Sequence, residues 1–322
     1  MTLSSSSSIL IIASSSTGNN IFCTPAIRLL RKHLPNAKLD VIALNKLSAE
    51  VFAENPDINR VYVMNKSRHV NKIANQYNHL LALNNNALKK LNAIKTSIIQ
   101  APPFTDAMHH AEHLLQFVAS LLNVELAETD HHYVLKTNQI LESVLPNGLI
   151  NPSDILINIH LGCGTTVLHG WKFFYAKRAD DKKLWSIEAY IALGNALLTA
   201  IPNLRLAITG TSNESFLAKK FEKSVPNTIN LVGKTTVSDL CVLMARANLF
   251  IAHDCGVFHV ASASNVPIVG LFGPTNPVAT GPYPIKPQHI IIKKRQMADI
   301  STDEVVVAAK ILLNKFVLVE AA

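Results

Sequence analysis

The sequence predicts an α/β protein made of two Rossmann-like sheets, and three observations carry the prediction. Short apolar runs that suit buried strands alternate with amphipathic, helix-length segments along the whole chain. Hydrophobic residues make up 48% and aromatics only 6%, so the apolar content is aliphatic, as parallel strands covered on both faces require. A length of 322 residues exceeds one ordinary core and suits two domains of roughly 150 residues.

In the first series, ILIIA (residues 9–13) reads as a strand, SSSTGNN as its loop, and TPAIRLLRKHLP as the start of a helix. There Thr24 suits a cap and Pro25 the first turn. KLDVIAL, RVYVM, HLLAL and SIIQA read as further strands, SAEVFAEN as a short helix, and DAMHHAEHLLQFVASLLN as a long closing one. The Pro/Gly/Asn-rich LPNGLINPSD marks a linker, giving domains 1–150 and 151–322. In the second series the strands are ILINIH, LRLAITG, TINLVG, LFIAH and VPIVGLF. Helices fall near SIEAYIALGNALLTA, ESFLAKKF, VSDLCVLMARA and VFHVASAS, and a long polar loop covers 161–183. Open parallel sheets bind ligands beyond the carboxyl ends of their strands, so a cleft between two such lobes is the expected site.

The excess of 30 Lys and Arg over 22 Asp and Glu favours anionic partners such as nucleotides, phosphorylated glycans or an acidic membrane surface. Cys23, Cys163, Cys241 and Cys255 form no CxxC pair, which argues against a zinc ribbon or a disulfide framework and for a reducing cytosol. No run reaches the roughly 18 apolar residues of a spanning helix, and the serine-rich start lacks a basic n-region, so neither anchor nor signal peptide is expected.

Two stretches concentrate polar groups at strand ends. In HDCGVFHVASAS, Gly256 lets a ligand approach the backbone, while Asp254 suits either a helix cap or a sugar hydroxyl. His259 lies one turn on, facing the same cleft or buried as a core histidine. In HLGCGTTVLHGWKFFYAKRADDKKLW, Thr165 and Thr166 follow two glycines, backed by Lys172, Lys177, Arg178, Lys182 and Lys183. Hydroxyls, backbone amides and cations together suit a diphosphate that no metal neutralises, and the chain has no DxD motif. Glu214 suits a ribose hydroxyl or a first-turn acid. GKTT at 233–236 lacks the P-loop's first glycine, with Thr228 in its place, and GCGTTV lacks the third glycine of a dinucleotide fingerprint. His109, Glu112 and His113 match HxxEH, but a mixed polar helix face explains them better than zinc does.

Taken together, HDCGVFHVASASNVPIVGLFGPTNP resembles the D-[ST]-G-x-x-H-x-x-A…P…L-[FY]-G-P-T-x-P signature of glycosyltransferase family 9, the heptosyltransferases. GTT followed by Lys183-x-Trp185, Gly210-x-x-x-Glu214, NLVGKTTVSDL and TPAIRLLRKHLPNAKLDV extend the resemblance over nearly the whole chain. It implies a GT-B fold, with the acceptor side in 1–150, the nucleotide-sugar donor side in 151–322, and no cofactor beyond the donor itself. ADP-heptose is the donor the resemblance favours. The implied partners are a lipopolysaccharide core or other glycan acceptor and, peripherally, the cytoplasmic face of the inner membrane; no nucleic acid is expected.

The resemblance assigns Thr165, Thr166 and Lys183 to the donor diphosphate and Glu214 to the nucleoside. Asp254, Cys255, Gly256 and His259 fall around the donor sugar and phosphates, with Cys255 replacing the usual Thr or Ser. The family's S-x-G-D loop reads Ser16-Thr17-Gly18-Asn19 here, so the expected general base is an amide, which accepts no proton. Three readings follow: another residue or water acts as base, the acceptor differs in its demands, or the protein binds a nucleotide sugar without turning it over.

Overall fold

The computed structural model describes residues 3–64, 66–84, 94, 96–145, 148–163, 168–169, 176–177 and 182–316. The chain divides into two compact units, residues 1–138 and 139–322. The division falls ahead of the Pro/Gly-rich segment, because a short helix preceding that segment packs on the second unit.

Unit 1 runs β1 (Ser8–Ile12), α1 (Thr17–His33), β2 (Lys38–Ala43), α2 (Lys46–Ala49), β3 (Arg60–Val63), α3 (Ser67–Ala74), β4 (His79–Ala82), β5 (Ile98–Gln100) and α4 (His110–Leu122). Its sheet is parallel in the order β3-β2-β1-β4-β5. The central strand β1 carries Ile9, Leu10, Ile11 and Ile12, all fully buried, because helices cover both its faces. Edge strand β3 is half-exposed and carries the polar mix that an edge tolerates.

Helix α1 begins at Thr17, seven residues before the expected start, so Pro25 lies inside the helix and Thr24 is not its cap. Proline lacks the N–H that would reach the carbonyl of Ile21. The buried Thr24 hydroxyl fills that vacancy, donating to Ile21 O at 2.8 Å while accepting from the Val134 N–H at 3.0 Å. A side chain thus offsets the loss that normally bars proline from a helix interior.

Unit 2 runs α5 (Leu141–Val144), β6 (Ile155–His160), β7 (Leu168–His169), β8 (Ala176–Lys177), α6 (Ile187–Ala200), β9 (Leu204–Thr209), α7 (Ser215–Ser224), β10 (Ile229–Asn230), α8 (Val237–Arg246), β11 (Leu249–His253), α9 (Gly256–Ser262), β12 (Ile268–Phe272), α10 (Pro277–Thr280), β13 (His289–Lys293) and α11 (Thr302–Phe316). Six strands form a parallel sheet in the order β10-β9-β6-β11-β12-β13. Strands β7 and β8 form a separate antiparallel pair inside the expected long loop. Tyr190, Leu193, Leu197, Phe221 and Leu312 cover the sheet in one apolar cluster.

Both sheets follow the order of a doubly wound fold. Counted within each unit, the strands lie 3-2-1-4-5, and a sixth extends unit 2. Chain connections leave in opposite directions at β1/β4 and at β6/β11, and these switch points open a crevice at the strands' carboxyl ends. Helix α3, strand β13 and helix α11 lie outside the expected elements, although Ser301-x-x-Glu304 is a capping box that announces α11: the Ser301 N–H donates to Glu304 and the Glu304 N–H to Ser301.

Candidate active site

The unit 2 switch point holds the densest group of functional side chains. Asp254 directly follows β11 and is 4% exposed, so its carboxylate needs partners. Lys183 Nζ lies 2.8 Å from Asp254 Oδ2, and the Thr280 hydroxyl donates to the same oxygen at 3.2 Å. Lys183 is partly open to solvent, leaving the pair buried at its acidic end and accessible at its basic end.

The Lys183-x-Trp185 spacing has a physical basis. Trp185 is buried, donates its indole N–H to Ile300 O at 3.1 Å, and stands edge-on to Tyr190 with ring centroids 4.8 Å apart. The Tyr190 hydroxyl meets His253 Nδ1 at 2.9 Å, and His253 immediately precedes Asp254. One buried chain of contacts therefore fixes both ends of the Lys183–Asp254 pair. Beside it, His160 Nδ1 lies 3.0 Å from the Thr209 hydroxyl, and burial, with His253 nearby, lowers the His160 pKa to about 3. This floor under the loops stays uncharged at neutral pH.

Glu214 is buried between the loops that follow β6 and β9. Its carboxylate accepts the Thr211 N–H, and burial pushes its pKa up to about 7 against that stabilising bond. Glycine is required on both sides of it. A Cβ at Gly162 would come within 2.0 Å of Glu214 Oε1, and one at Gly210 within 2.7 Å of Oε2. Cys255 caps α9, and burial, reinforced by Cys163, Asp254 and Glu214, holds its thiol well above the ordinary range. Gly256 opens α9, while His259 is buried with its ring edge-on to Phe258 at 5.9 Å. Thr165 and Thr166 lie outside the described residues, as do Lys172 and Arg178. Sequence reasoning missed Thr280, Tyr190 and His253. Only His253 carried a local signal, as a polar residue ending the otherwise apolar strand LFIAH.

The unit 1 switch point is built from amides instead. Buried Asn20 accepts the Ser14 N–H at 2.7 Å and donates to Ser14 O and Ser48 O, and Asn45 donates to Ser15 O at 2.8 Å. These bonds staple the β1–α1 loop to α2. Asn19 stands in the first turn of α1, half-buried, and that turn contains no acid. One turn on, Phe22 packs edge-on against His109 and His110 from α4, at 5.3 and 5.7 Å. The HxxEH residues part company on α4. His109 Nδ1 accepts the Ala111 N–H, His113 Nε2 lies 3.2 Å from Pro102 O, and Glu112 binds His131 Nδ1 at 2.7 Å. Among the described residues, no cluster of three or more His, Cys, Asp or Glu is arranged to hold a metal. A cavity of about 650 Å³, lined in part by Arg205, Asn230 and Lys234, lies beside edge strand β10, apart from the Lys183–Asp254 group.

Residues 171–307, which contain Lys183, Glu214, Asp254 and His259, match the sequence model of glycosyltransferase family 9 (heptosyltransferase). The chain is 27% identical over 304 residues to lipopolysaccharide heptosyltransferase 3 of Escherichia coli, covering 83% of each sequence. The chain is thus similar to glycosyltransferase family 9, most directly through residues 171–307. Two solved structures share its fold. One is a family 9 glycosyl transferase from Veillonella parvula, with a TM-score of 0.77, 20% identity, and 96% of this chain and 97% of that one covered. The other is the E. coli ADP-heptose lps heptosyltransferase II, with a TM-score of 0.75, 16% identity, and 98% and 100% covered. The two Rossmann-like units are those of a GT-B architecture, and the protein is a glycosyltransferase similar in sequence to heptosyltransferases.

Proposed function

We propose that this glycosyltransferase moves a sugar, heptose foremost, from a nucleoside diphosphate donor to a lipopolysaccharide core or related glycan. The transfer is a metal-independent displacement that inverts the anomeric centre. The observation that carries this reading is the Lys183–Asp254–Thr280 group at the unit 2 switch point, where a doubly wound sheet receives a nucleotide. The acceptor oxygen attacks the anomeric carbon as its proton passes to a base, and the bond from that carbon to the diphosphate oxygen breaks. Negative charge then grows on the departing diphosphate. Lys183 supports that charge with its ammonium group, an interaction stronger in the transition state than in the ground state. Asp254 holds Lys183 in place and accepts from a donor hydroxyl, while Glu214 serves the ribose.

The cationic balance of the chain suits a phosphorylated acceptor on an anionic surface. No described helix is long and apolar enough to cross a membrane, and the contact proposed with the cytoplasmic membrane face is a peripheral one. Calorimetric titration with ADP-heptose and UDP-sugars tests the donor assignment. Wild type should bind one of them, and Lys183→Ala should weaken binding by about tenfold or more; equal binding by both proteins contradicts the assignment.

A second reading rests on Asn19, which puts an amide where the family places its base. In that reading the protein binds a nucleotide sugar without turning it over. Donor binding with no acceptor-dependent diphosphate release favours it, and release only with acceptor present favours the transferase.

A further inference from the structure

Charge is divided unevenly along unit 1. Residues 58–105 hold seven Lys and Arg and no Asp or Glu, whereas the rest of residues 1–138 holds six Lys and Arg against nine Asp and Glu. The fold gathers the described part of this excess on one face. Helix α3 buries Val70 and Ala74, and with them the following Tyr77, against Leu10, Ile12, Ile42 and Leu80 of the sheet. That spacing of four and then three residues leaves Lys66, Arg68, His69 and Lys72 exposed on the outer side. Two strand cations flank the helix. Arg60 lies over the Tyr62 ring at 4.8 Å and Lys38 over the Tyr77 ring at 4.9 Å, and both rings belong to the cluster beneath α3. Lys38 shares its charge with the buried Asp40, 3.6 Å away. Among the described residues, no ion pair engages Arg60, Lys66, Arg68 or Lys72. On α1 the cations are matched instead, Arg28 by Asp57 at 2.6 Å and Lys32 by Asp130 at 2.8 Å. Lys89, Lys90 and Lys95 lie outside the described residues.

Cations set along the outside of a helix about 12 Å long diverge, so they suit an extended anionic surface better than a single phosphate. We propose that the α3 face of unit 1 docks the protein on a bilayer of anionic phospholipids. The proposal rests on the peripheral membrane contact of the preceding reading and names the surface that makes it. The apolar side of α3 is already covered by the sheet, so the helix does not insert; the contact is electrostatic and is screened by salt. Each Lys or Arg held near such a surface contributes roughly a fivefold gain in partitioning. Docking places the transferase on the plane in which a lipid-anchored glycan acceptor lies.

The test measures co-sedimentation with vesicles of phosphatidylcholine alone and of phosphatidylcholine with about a quarter phosphatidylglycerol, at about 50 and about 500 mM salt. Wild type should bind only the anionic vesicles, and only at the lower salt. Lys66→Gln, Arg68→Gln and Lys72→Gln combined should lower that partitioning by about 10²-fold with an unchanged melting temperature. Lys219→Gln, Lys223→Gln and Lys310→Gln combined remove the same charge from exposed positions of unit 2 and should stay within about threefold of wild type. Equal loss in both variants overturns the proposal, as does a wild type that binds both kinds of vesicle alike or neither. A second arm measures diphosphate release with deacylated lipopolysaccharide core in solution and with lipopolysaccharide held in the anionic vesicles. The α3 variant should keep the first within about threefold and lose about tenfold or more of the second. Loss with the soluble core would make these cations part of an acceptor site and overturn the docking surface. Vesicle binding needs no turnover, so a wild type that docks as expected yet transfers nothing upholds the surface and brings down the transferase reading alone.

Discussion

The two units share one strand order yet equip their switch points in opposite ways. Unit 2 concentrates charge there, with Lys183 on the buried Asp254 and Glu214 wedged between two glycine-bearing loops. Unit 1 has amides and rings instead: Asn20 and Asn45 staple the loop, and Phe22, one turn past Asn19, packs on the histidines of α4. The fold fixes where a ligand can sit, and the loops decide what happens to it. A fixed cation suits a leaving diphosphate. A neutral, hydrogen-bonded loop suits an uncharged hydroxyl, provided that some group beside it accepts a proton.

The largest expected effect separates the two regions directly. Lys183→Ala should cut turnover by about 10²- to 10³-fold in steady-state assays, while Asn19→Ala should leave donor affinity within about threefold of wild type by calorimetry. Similar losses of donor affinity in both variants would erase the division of labour. Lys183→Ala should also lower the melting temperature, since Asp254 stays buried with Thr280 as its remaining named partner.

The next effect sharpens the electrostatic contrast. Burial raises the Glu214 pKa from its ordinary value of 4.5 to about 7, so the folded protein binds the extra proton between those values. Stability from this residue is therefore undiminished below pH 4.5 and falls as the pH rises through 7, by roughly 3 kcal/mol if unopposed. Denaturant titrations of Glu214→Gln should show a flatter profile through that window, the variant gaining on wild type as pH rises. Parallel profiles would mean that Glu214 ionises freely in the fold.

Thr24→Val probes unit 1, where neutral hydrogen bonds take the place of charge. It strips partners from Ile21 O and the Val134 N–H, and should cost about 2 kcal/mol in chemical denaturation. The smallest expected change is at Cys255, which occupies the N-cap position of α9 without a side-chain cap bond. Cys255→Ser should raise stability by about 1 kcal/mol, seen as a higher melting temperature, and a lower one would mean that the buried thiol is valued for packing.

The apolar strands and the site's main residues were legible because their signals are local. ILIIA, ILINIH and LFIAH are too apolar for any place but a covered sheet, Asp254-Cys255-Gly256 directly follows LFIAH, and Lys183-x-Trp185 is a compact pattern just ahead of α6. The start of α1 was not legible. The local rule puts Pro25 in a first turn, and the bond that lets it lie deeper involves Val134, 110 residues away. Thr280 on Asp254 and His110 on Phe22 are likewise contacts between distant segments, which no spacing announces. The Ser301-x-x-Glu304 box that opens α11 is, by contrast, a local signal, and it follows the half-buried strand β13 closely.

The central claim is that this protein transfers a sugar although an amide stands where the family it resembles places a carboxylate. Acceptor-dependent nucleoside diphosphate release, measured for wild type beside Asn19→Asp with ADP-heptose and a deacylated lipopolysaccharide core, tests it most directly. The account predicts release by the wild type that requires acceptor. Release by Asn19→Asp alone, with a wild type that binds donor and stays silent, would contradict it.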